Sequence, residues 1–182
     1  WVDMGSHPYL VRAFFIGLMA SRGSRLADRL FIASEYIAPE KEGGPNSLDA
    51  YLKLALLDLE QSLIWAVQFC YGMEYAYSKG IRAHRDIKPS NIMIDPNMTV
   101  KITDFGLAGI YGPSTPLFES VQKGNIETPL RTMLGTSSGT PEYMPPEQFT
   151  DFSACDVRSD IYSFGVVLYQ MASGGKLPFS AE

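Results

Sequence analysis

His84-Arg85-Asp86-Ile87-Lys88-Pro89-Ser90-Asn91 is the stretch of this sequence that decides the fold. It places a carboxylate, an ammonium group and an amide in one short loop, between segments that have the patterns of secondary structure. These residue types in a fixed order are a far more specific signal than a lone glycine motif. The stretch therefore indicates a site of chemistry, and a solvated charged turn is the alternative interpretation.

The overall composition is typical of one globular domain. The 182 residues are 46% hydrophobic and 19% charged, with a formal net charge of −5. This balance, without a long basic run, disfavours a nucleic-acid-binding protein that depends on phosphate contacts. Cys70 and Cys155 follow no metal or disulfide pattern, so we expect both thiols to be reduced and packed. No apolar run reaches the length of a membrane span, and we expect a cytoplasmic protein.

Strands and helices are predicted on the N-terminal side of the loop. Residues 7–12 read as a turn entering a strand, and residues 29–36 read as a second strand. Ser47 is the predicted N-cap of a short helix. A longer helix that ends at Gly80 is predicted to bury one apolar face, formed by Leu59, Leu63, Val67, Cys70, Met73 and Tyr77.

A hairpin, a long loop and a helix are predicted on the C-terminal side. Ile92–Ile94 and Val100–Ile102 should pair as short antiparallel strands, which would bring Asn91 and Asp104 to one edge. Residues 108–138 are rich in Gly, Pro, Ser and Thr and predict a long loop. A buried helix is predicted to begin after Ser159 as its N-cap and to end at Gly174-Gly175. Its predicted core face consists of Ile161, Phe164, Leu168 and Met171.

With Asp104-Phe105-Gly106 following, the loop resembles the catalytic loop and metal-binding motif of Hanks-type serine/threonine protein kinases. The likeness runs from about His7 to Phe179. It implies an α+β, protein-kinase-like fold, mainly the helical C-lobe with the last strands of the N-lobe, truncated at both ends. Residues 1–34 would be a remnant of the N-lobe, 35–47 the hinge and linker, and 48–182 a partial C-lobe.

The resemblance also implies ATP and Mg²⁺ as cofactors. Asp86 would orient the attacking hydroxyl group, and Lys88 would offset charge on the γ-phosphate. Asn91 and Asp104 would supply oxygen ligands to the magnesium ion. The family's Gly-rich loop, strand Lys and helix Glu have no counterpart here and are expected upstream of Trp1. The fragment alone is therefore expected to be inactive.

Further roles follow from the same resemblance. Backbone groups of Glu35 and Ile37 would bond the edge of the adenine, and Met93 would form the floor of its pocket. His84 and Phe105 are interpreted as packing residues rather than catalytic ones. At the start of its helix, the Asp160 carboxylate would accept N–H bonds from the catalytic loop.

Substrate class and regulation are implied by residues around the long loop. Lys88, together with Gly139-Thr140-Pro141-Glu142-Tyr143, resembles serine/threonine rather than tyrosine kinases, and Thr140 would hydrogen-bond Asp86 and Lys88. Pro145 replaces the usual Ala before Pro-Glu, which is a mild departure. Arg85 would bind a phosphate carried by the activation segment. Thr136 is the best-matched phosphate acceptor; the alternates are Thr132, Ser137 and Ser138.

The leading hypothesis is an ATP-dependent enzyme that phosphorylates Ser and Thr hydroxyl groups of a protein substrate. The alternative is a pseudokinase or scaffold that binds partners without transferring phosphate. This alternative is disfavoured because the four residues that the chemistry needs are intact: Asp86, Lys88, Asn91 and Asp104. A kinase-like enzyme that phosphorylates small molecules ranks third, because such enzymes usually lack the Arg-Asp pair and the Gly-Thr-Pro-Glu-Tyr segment.

Overall fold

The computed structural model describes residues 1–19, 29–105, 141–151 and 154–179. Its helices and strands, in chain order, are β1 (Ala13–Met19), β2 (Arg29–Ser34), α1 (Leu48–Lys53), α2 (Leu59–Ser78), β3 (Ile92–Ile94), β4 (Val100–Ile102), α3 (Pro146–Thr150) and α4 (Val157–Ala172). Single 3₁₀ turns lie at Val2–Met4, Pro89–Asn91 and Pro141–Tyr143. The described part therefore combines small antiparallel sheets with helices, as expected for an α+β kinase-like fold.

Two antiparallel hairpins supply the strands. β1 pairs with β2. β3 pairs with β4 in antiparallel fashion, as predicted, and the register is Ile92↔Ile102 and Ile94↔Val100. Residues 7–12 do not form the predicted strand. They form a turn and one parallel bridge, in which Val11 N–H donates to the Ile102 carbonyl group at 2.8 Å. The strand itself begins at Ala13 and β2 ends at Ser34.

Helix α2 is the centre of the core. Its buried residues include Trp65, Phe69 and Met73, and the Phe69 ring stacks on Phe164 of α4 with centroids 4.0 Å apart. Gly72 faces β4 so closely that a Cβ atom there would lie 2.8 Å from Ile102 Cδ1. The β3–β4 hairpin and α4 thus pack against α2, and the loop at residues 84–91 contacts both α4 and the end of β4.

The predicted buried face of α2 is wrong at four of its six positions, whereas Met73 is buried as predicted and Tyr77 is half-buried. Of the apolar residues that defined it, Leu59, Leu63 and Val67 are exposed, Leu63 to 57%, and Cys70 is exposed as well. The helix carries apolar side chains on two sides, and the side with Trp65 and Phe69 buries larger rings. On α4, Phe164 and Met171 are buried as predicted, whereas Ile161 and Leu168 are exposed, to 65% and 36%.

The helix ends follow capping chemistry. Ser47 caps α1 as predicted, its Oγ accepting a bond from Ala50 N–H at 3.3 Å. Gly80, with φ +91°, follows α2 in a Schellman arrangement, in which Ile81 N–H donates to Ala76 O and Gly80 N–H to Tyr77 O.

The predicted start of α4 was three residues late. The N-cap is Asp156, and Ser159 completes a capping box from the first turn. The helix ends at Ala172, just before Gly174 with φ +70°.

None of the helices in the described ranges is both long and apolar enough to cross a membrane.

Candidate active site

Asp86, Lys88 and Asn91 meet in the loop between α2 and β3. The Lys88 ammonium lies 2.8 Å from Asp86 Oδ2, and both side chains are partly exposed. Asn91 Nδ2 donates to the same Asp86 Oδ2 at 2.9 Å and to the Asp86 carbonyl oxygen at 2.8 Å. One carboxylate therefore has its position set by a cation and an amide, while remaining reachable from solvent.

Asn91 and Asp104 stand at the two ends of the β3–β4 hairpin, as predicted. Thr103 N–H donates to the Asn91 carbonyl group at 3.0 Å, which joins the two ends. Both bonds of the Asn91 side chain go to acceptors, so its NH₂ group must point at Asp86 and its Oδ1 atom is left as an acceptor. Asp104 is exposed and has φ +56°.

The Asp160 carboxylate anchors the backbone of the loop. It is 2% exposed, and it accepts bonds from His84 N–H at 2.6 Å and Arg85 N–H at 2.9 Å. Tyr77 Oη donates to it at 2.9 Å. Burial, followed by the charge of Asp160, raises the pKa of Tyr77, so the phenol remains a donor. The predicted bonds from the loop to Asp160 are confirmed.

His84 is a packing residue with a fixed tautomer. Its ring is 1% exposed and lies 4.8 Å from the Phe105 ring, and burial lowers its pKa. Its Nε2 lies 2.9 Å from the Thr103 carbonyl oxygen, so this nitrogen carries the proton and donates. The unprotonated Nδ1 accepts the Asp86 N–H at 3.3 Å. A neutral, buried ring of this kind supports the packing interpretation.

Gln148 also contacts the loop, and no sequence pattern pointed to this contact. Its Nε2 donates to the Arg85 carbonyl oxygen at 3.0 Å, from helix α3. Arg85 itself has φ +68°, which is rare for a residue other than glycine. The residue before Asp86 is therefore held in an unfavourable conformation by contacts from both α3 and α4.

The predicted hinge lies against strand β3 of the β3–β4 hairpin. Ile37 is buried, and its carbonyl group accepts a bond from Asn46 Nδ2 at 3.0 Å. The Asn46 carbonyl group accepts Ile94 N–H at 3.0 Å, and Met93 forms a bridge with Ser47. Asn46 was not predicted from the sequence. It brings Ile37 and β3 together.

Glu35 belongs to the same region. Its Oε1 accepts Arg12 N–H at 2.8 Å and lies 3.7 Å from Lys101 Nζ. Its own N–H donates to the Arg12 carbonyl group at 2.9 Å. These bonds fix the orientation of the chain where it leaves β2.

Several predicted residues lie outside the described residues. Thr136, Thr140 and the alternates Thr132, Ser137 and Ser138 fall within 106–140, as does the predicted long loop. Just beyond it, the Glu147 carboxylate accepts the Ser159 hydroxyl at 2.6 Å, and this bond lowers the pKa of Glu147. Glu147 thus ties α3 to the first turn of α4.

Comparison with known proteins agrees with these motifs. The family model described as "Protein kinase domain" matches residues 3–182. Serine/threonine-protein kinase PKH2 of Saccharomyces cerevisiae is 41% identical over 142 residues, which are 77% of this chain and 12% of that protein. Serine/threonine-protein kinase PKH1 of the same yeast is 42% identical over 149 residues, or 82% of this chain and 19% of that protein.

A bacterial protein is similar over more of the chain. A probable serine/threonine-protein kinase of Corynebacterium efficiens is 32% identical over 177 residues, which are 97% of this chain and 23% of that protein. The chain thus spans less than a quarter of the length of each of these three relatives. The match over nearly the whole sequence, with the loop and hairpin geometry, shows that the chain belongs to the protein kinase domain family.

Proposed function

We propose that the protein containing this chain transfers the γ-phosphate of ATP to Ser and Thr hydroxyl groups of protein substrates. The observation that supports this most directly is the Asp86 carboxylate, held within 3 Å by both Lys88 and Asn91. The relatives named as serine/threonine-protein kinases favour the same activity. A protein substrate and ATP are therefore the proposed partners, and we propose no nucleic-acid partner.

Phosphoryl transfer requires positioning and charge neutralisation more than covalent chemistry. Asp86 accepts the hydrogen bond of the substrate hydroxyl group and orients its oxygen toward the phosphorus atom. A carboxylate of ordinary basicity takes the proton only late in the transfer. Lys88, already beside Asp86, offsets the negative charge on the transferring phosphate oxygens.

Asn91 and Asp104 are the proposed magnesium ligands. The Asn91 Oδ1 is left as an acceptor by the two bonds of its NH₂ group, and Asp104 is exposed at the other end of the hairpin. Mg²⁺ is held by one or two protein oxygens, with water and phosphate completing its shell, which fits so small a donor set. Among the described residues, no three His, Cys, Asp or Glu side chains cluster as a metal site. When bound, the ion neutralises phosphate charge.

The adenine ring is proposed to lie between the hinge and β3. The Ile37 carbonyl group is taken by Asn46, whereas no described residue accepts a bond from Ile37 N–H, which leaves this donor for the base. The Glu35 carbonyl group is the proposed acceptor on the same edge. Met93, half-buried in β3, is the proposed floor of the pocket.

Selectivity and regulation are proposed for Thr140 and Thr136, which lie outside the described ranges, together with Arg85. Thr140 would hydrogen-bond Asp86 and Lys88 and shape the site of the acceptor hydroxyl group. Phosphorylation of Thr136 would order the activation segment through Arg85. Phosphopeptide mapping of the active enzyme that finds Thr136 unmodified, with Thr136→Ala fully active, would exclude this mode of regulation.

A cytoplasmic location is proposed as well. Both cysteines of the chain are free thiols, which is the usual state in a reducing compartment.

The test of the activity is Asp86→Asn in the full-length protein. Phosphate transfer from labelled ATP to casein should fall by about 10²- to 10⁴-fold, while the Kd of a fluorescent ATP analogue stays the same. The control is Asp95→Asn, since the Asp95 side chain accepts two turn N–H groups within the described residues and an amide oxygen can replace it. Phosphoamino-acid determination should find phosphoserine and phosphothreonine. A wild-type protein that binds the analogue without transferring phosphate would instead be a pseudokinase or scaffold.

A further inference from the structure

We propose that Gln148 is a positioning residue for the reaction, which fixes the peptide group immediately before Asp86. This inference rests on the proposed function of the same loop. It assigns to helix α3 a role beyond connecting the long loop to α4. Through Gln148, α3 holds the backbone next to the catalytic carboxylate in a fixed position.

The backbone at Arg85 needs external support. Its φ of +68° lies in the left-handed region, which side chains with a Cβ atom adopt at an energetic cost. Such conformations persist only where the surroundings fix them, and they cluster at functional sites. The loop therefore has an easier conformation available whenever its supporting contacts are removed.

The contacts on the two sides of Arg85 come from different elements. On the N-terminal side, Arg85 N–H donates to Asp160 Oδ1 of α4 at 2.9 Å. On the C-terminal side, the Arg85 carbonyl group accepts Gln148 Nε2 of α3 at 3.0 Å. Asp160 thus fixes the peptide entering Arg85, and Gln148 fixes the peptide leaving it.

The second of these peptides is the one that carries Asp86. Among the described residues, the only acceptor for the Asp86 N–H group is His84 Nδ1, at 3.3 Å, which is at the long end for a hydrogen bond. The Gln148 bond is the shorter of the two that orient this peptide plane. Rotation of the plane would move the backbone of Asp86, so the Gln148 amide fixes the backbone position from which Lys88 and Asn91 orient the carboxylate.

Gln148 can do this because α3 is itself fixed. The neighbouring Glu147 accepts the Ser159 hydroxyl at 2.6 Å, which ties α3 to the helix that carries Asp160. Gln148 is half-buried, so its amide is partly shielded from competing water. Both supports of Arg85 therefore rest on α4, one directly and one through α3.

The experiment compares three variants in the full-length protein. Gln148→Met keeps the shape of the side chain and removes the donor, whereas Gln148→Lys keeps a donor of similar reach. Gln61→Met is the matched control, because Gln61 lies in α2 and its side chain makes no hydrogen bond to any described residue. The measurements are kcat with a saturating protein substrate, the Kd of an ATP analogue, and the thermal midpoint.

We expect Gln148→Met to lower kcat by about five- to tenfold, the loss that corresponds to one net hydrogen bond. The Kd of the analogue should stay at the wild-type value and the thermal midpoint should fall by no more than about 4 °C, as expected for one lost bond, and Gln148→Lys should recover most of kcat. Unchanged kcat in Gln148→Met would overturn the proposal. So would a loss of kcat that comes with a matching loss of thermal stability and nucleotide affinity, since that pattern marks a merely structural residue.

The outcome is separable from that of the proposed function. If the wild-type protein transfers no phosphate under any of the conditions, the proposed function fails. If the wild-type protein is active and Gln148→Met equals Gln61→Met, the activity stands and only the role of Gln148 is refuted.

Discussion

Asp160→Asn tests how the catalytic loop is held. In the structure Asp160 Oδ2 accepts two bonds, from His84 N–H and the Tyr77 hydroxyl, and Oδ1 accepts one, from Arg85 N–H. The amide oxygen of an asparagine can accept the bonds from His84 N–H and the Tyr77 hydroxyl group, as Oδ2 does. Its NH₂ group must then face Arg85 N–H, which is also a donor. The variant thus loses one charge-assisted bond and leaves one buried donor unpaired.

The size of the effect follows from this count. A buried hydrogen bond to a charged group contributes about 1.5–3 kcal/mol, so Asp160→Asn should lower the free energy of unfolding by about 2–3 kcal/mol. Asp160→Ala leaves all three donors unpaired, at about 1–3 kcal/mol each, which is comparable to the whole stability of a domain. Asp160→Asn is therefore the variant that should stay folded, so that its loss of stability can be measured.

Urea unfolding of the kinase domain, followed by circular dichroism, measures this loss, and kcat should fall with it. Asp58→Asn is the matched control, because Asp58 caps α2 by accepting Gln61 N–H and asparagine is an equally good cap. A loss in Asp160→Asn no larger than in Asp58→Asn would refute the reasoning. Tyr77→Phe, which removes one donor to the same oxygen, should be non-additive with Asp160→Asn.

Two other predictions address the core and the pH dependence. Trp65→Ala should lower the free energy of unfolding by about 3–5 kcal/mol, because the ring is buried and donates to the Met98 carbonyl group. Leu63→Ala should cost less than about 1 kcal/mol, and a reversed order in urea unfolding would favour the face predicted from the sequence. For His84, the lowered pKa means that the native state excludes a proton that the unfolded chain binds below pH 6.5. Stability should therefore fall as pH drops from 6.5 toward 5, with a limiting slope of about 1.4 kcal/mol per pH unit. A slope unchanged in His84→Gln would contradict this.

The hairpin was predictable because its signals are local. Ile92–Ile94 and Val100–Ile102 flank a turn with Pro96 at a favoured position, so pairing them also placed Asn91 and Asp104 at one edge. The cap of α1 at Ser47 followed from the same kind of local chemistry. The start of α4 was missed because Ser159 is a good cap as well, and the capping box uses it together with Asp156.

The buried face of α2 was not predictable from periodicity. Leu59 and Leu63 repeat at helical spacing on one side, and Trp65, Phe69 and Met73 do so on another. A helix that is apolar on two sides gives no preference until its neighbours are placed. The close approach of Gly72 to β4, where any side chain would collide, likewise depends on tertiary packing and is not visible in the periodicity.

Gln148 was missed for a related reason. Its partner, Arg85, lies 63 residues away, and a lone glutamine after Pro-Glu belongs to no local pattern. The contacts of Asp160, in contrast, could be expected because the family resemblance supplied them. Contacts between distant residues became visible only through the family or the structure.

The anchoring of the loop by Asp160 has a consequence for the order of folding during synthesis. Arg85 leaves the ribosome 75 residues before Asp160 does. At about 5–20 residues per second, the loop exists for several seconds without the carboxylate that holds its left-handed residue. Until α4 has docked, Arg85 is free to adopt a negative φ, which L-amino acids prefer. Therefore the loop that carries Asp86 reaches its final conformation only after α4 has been synthesised.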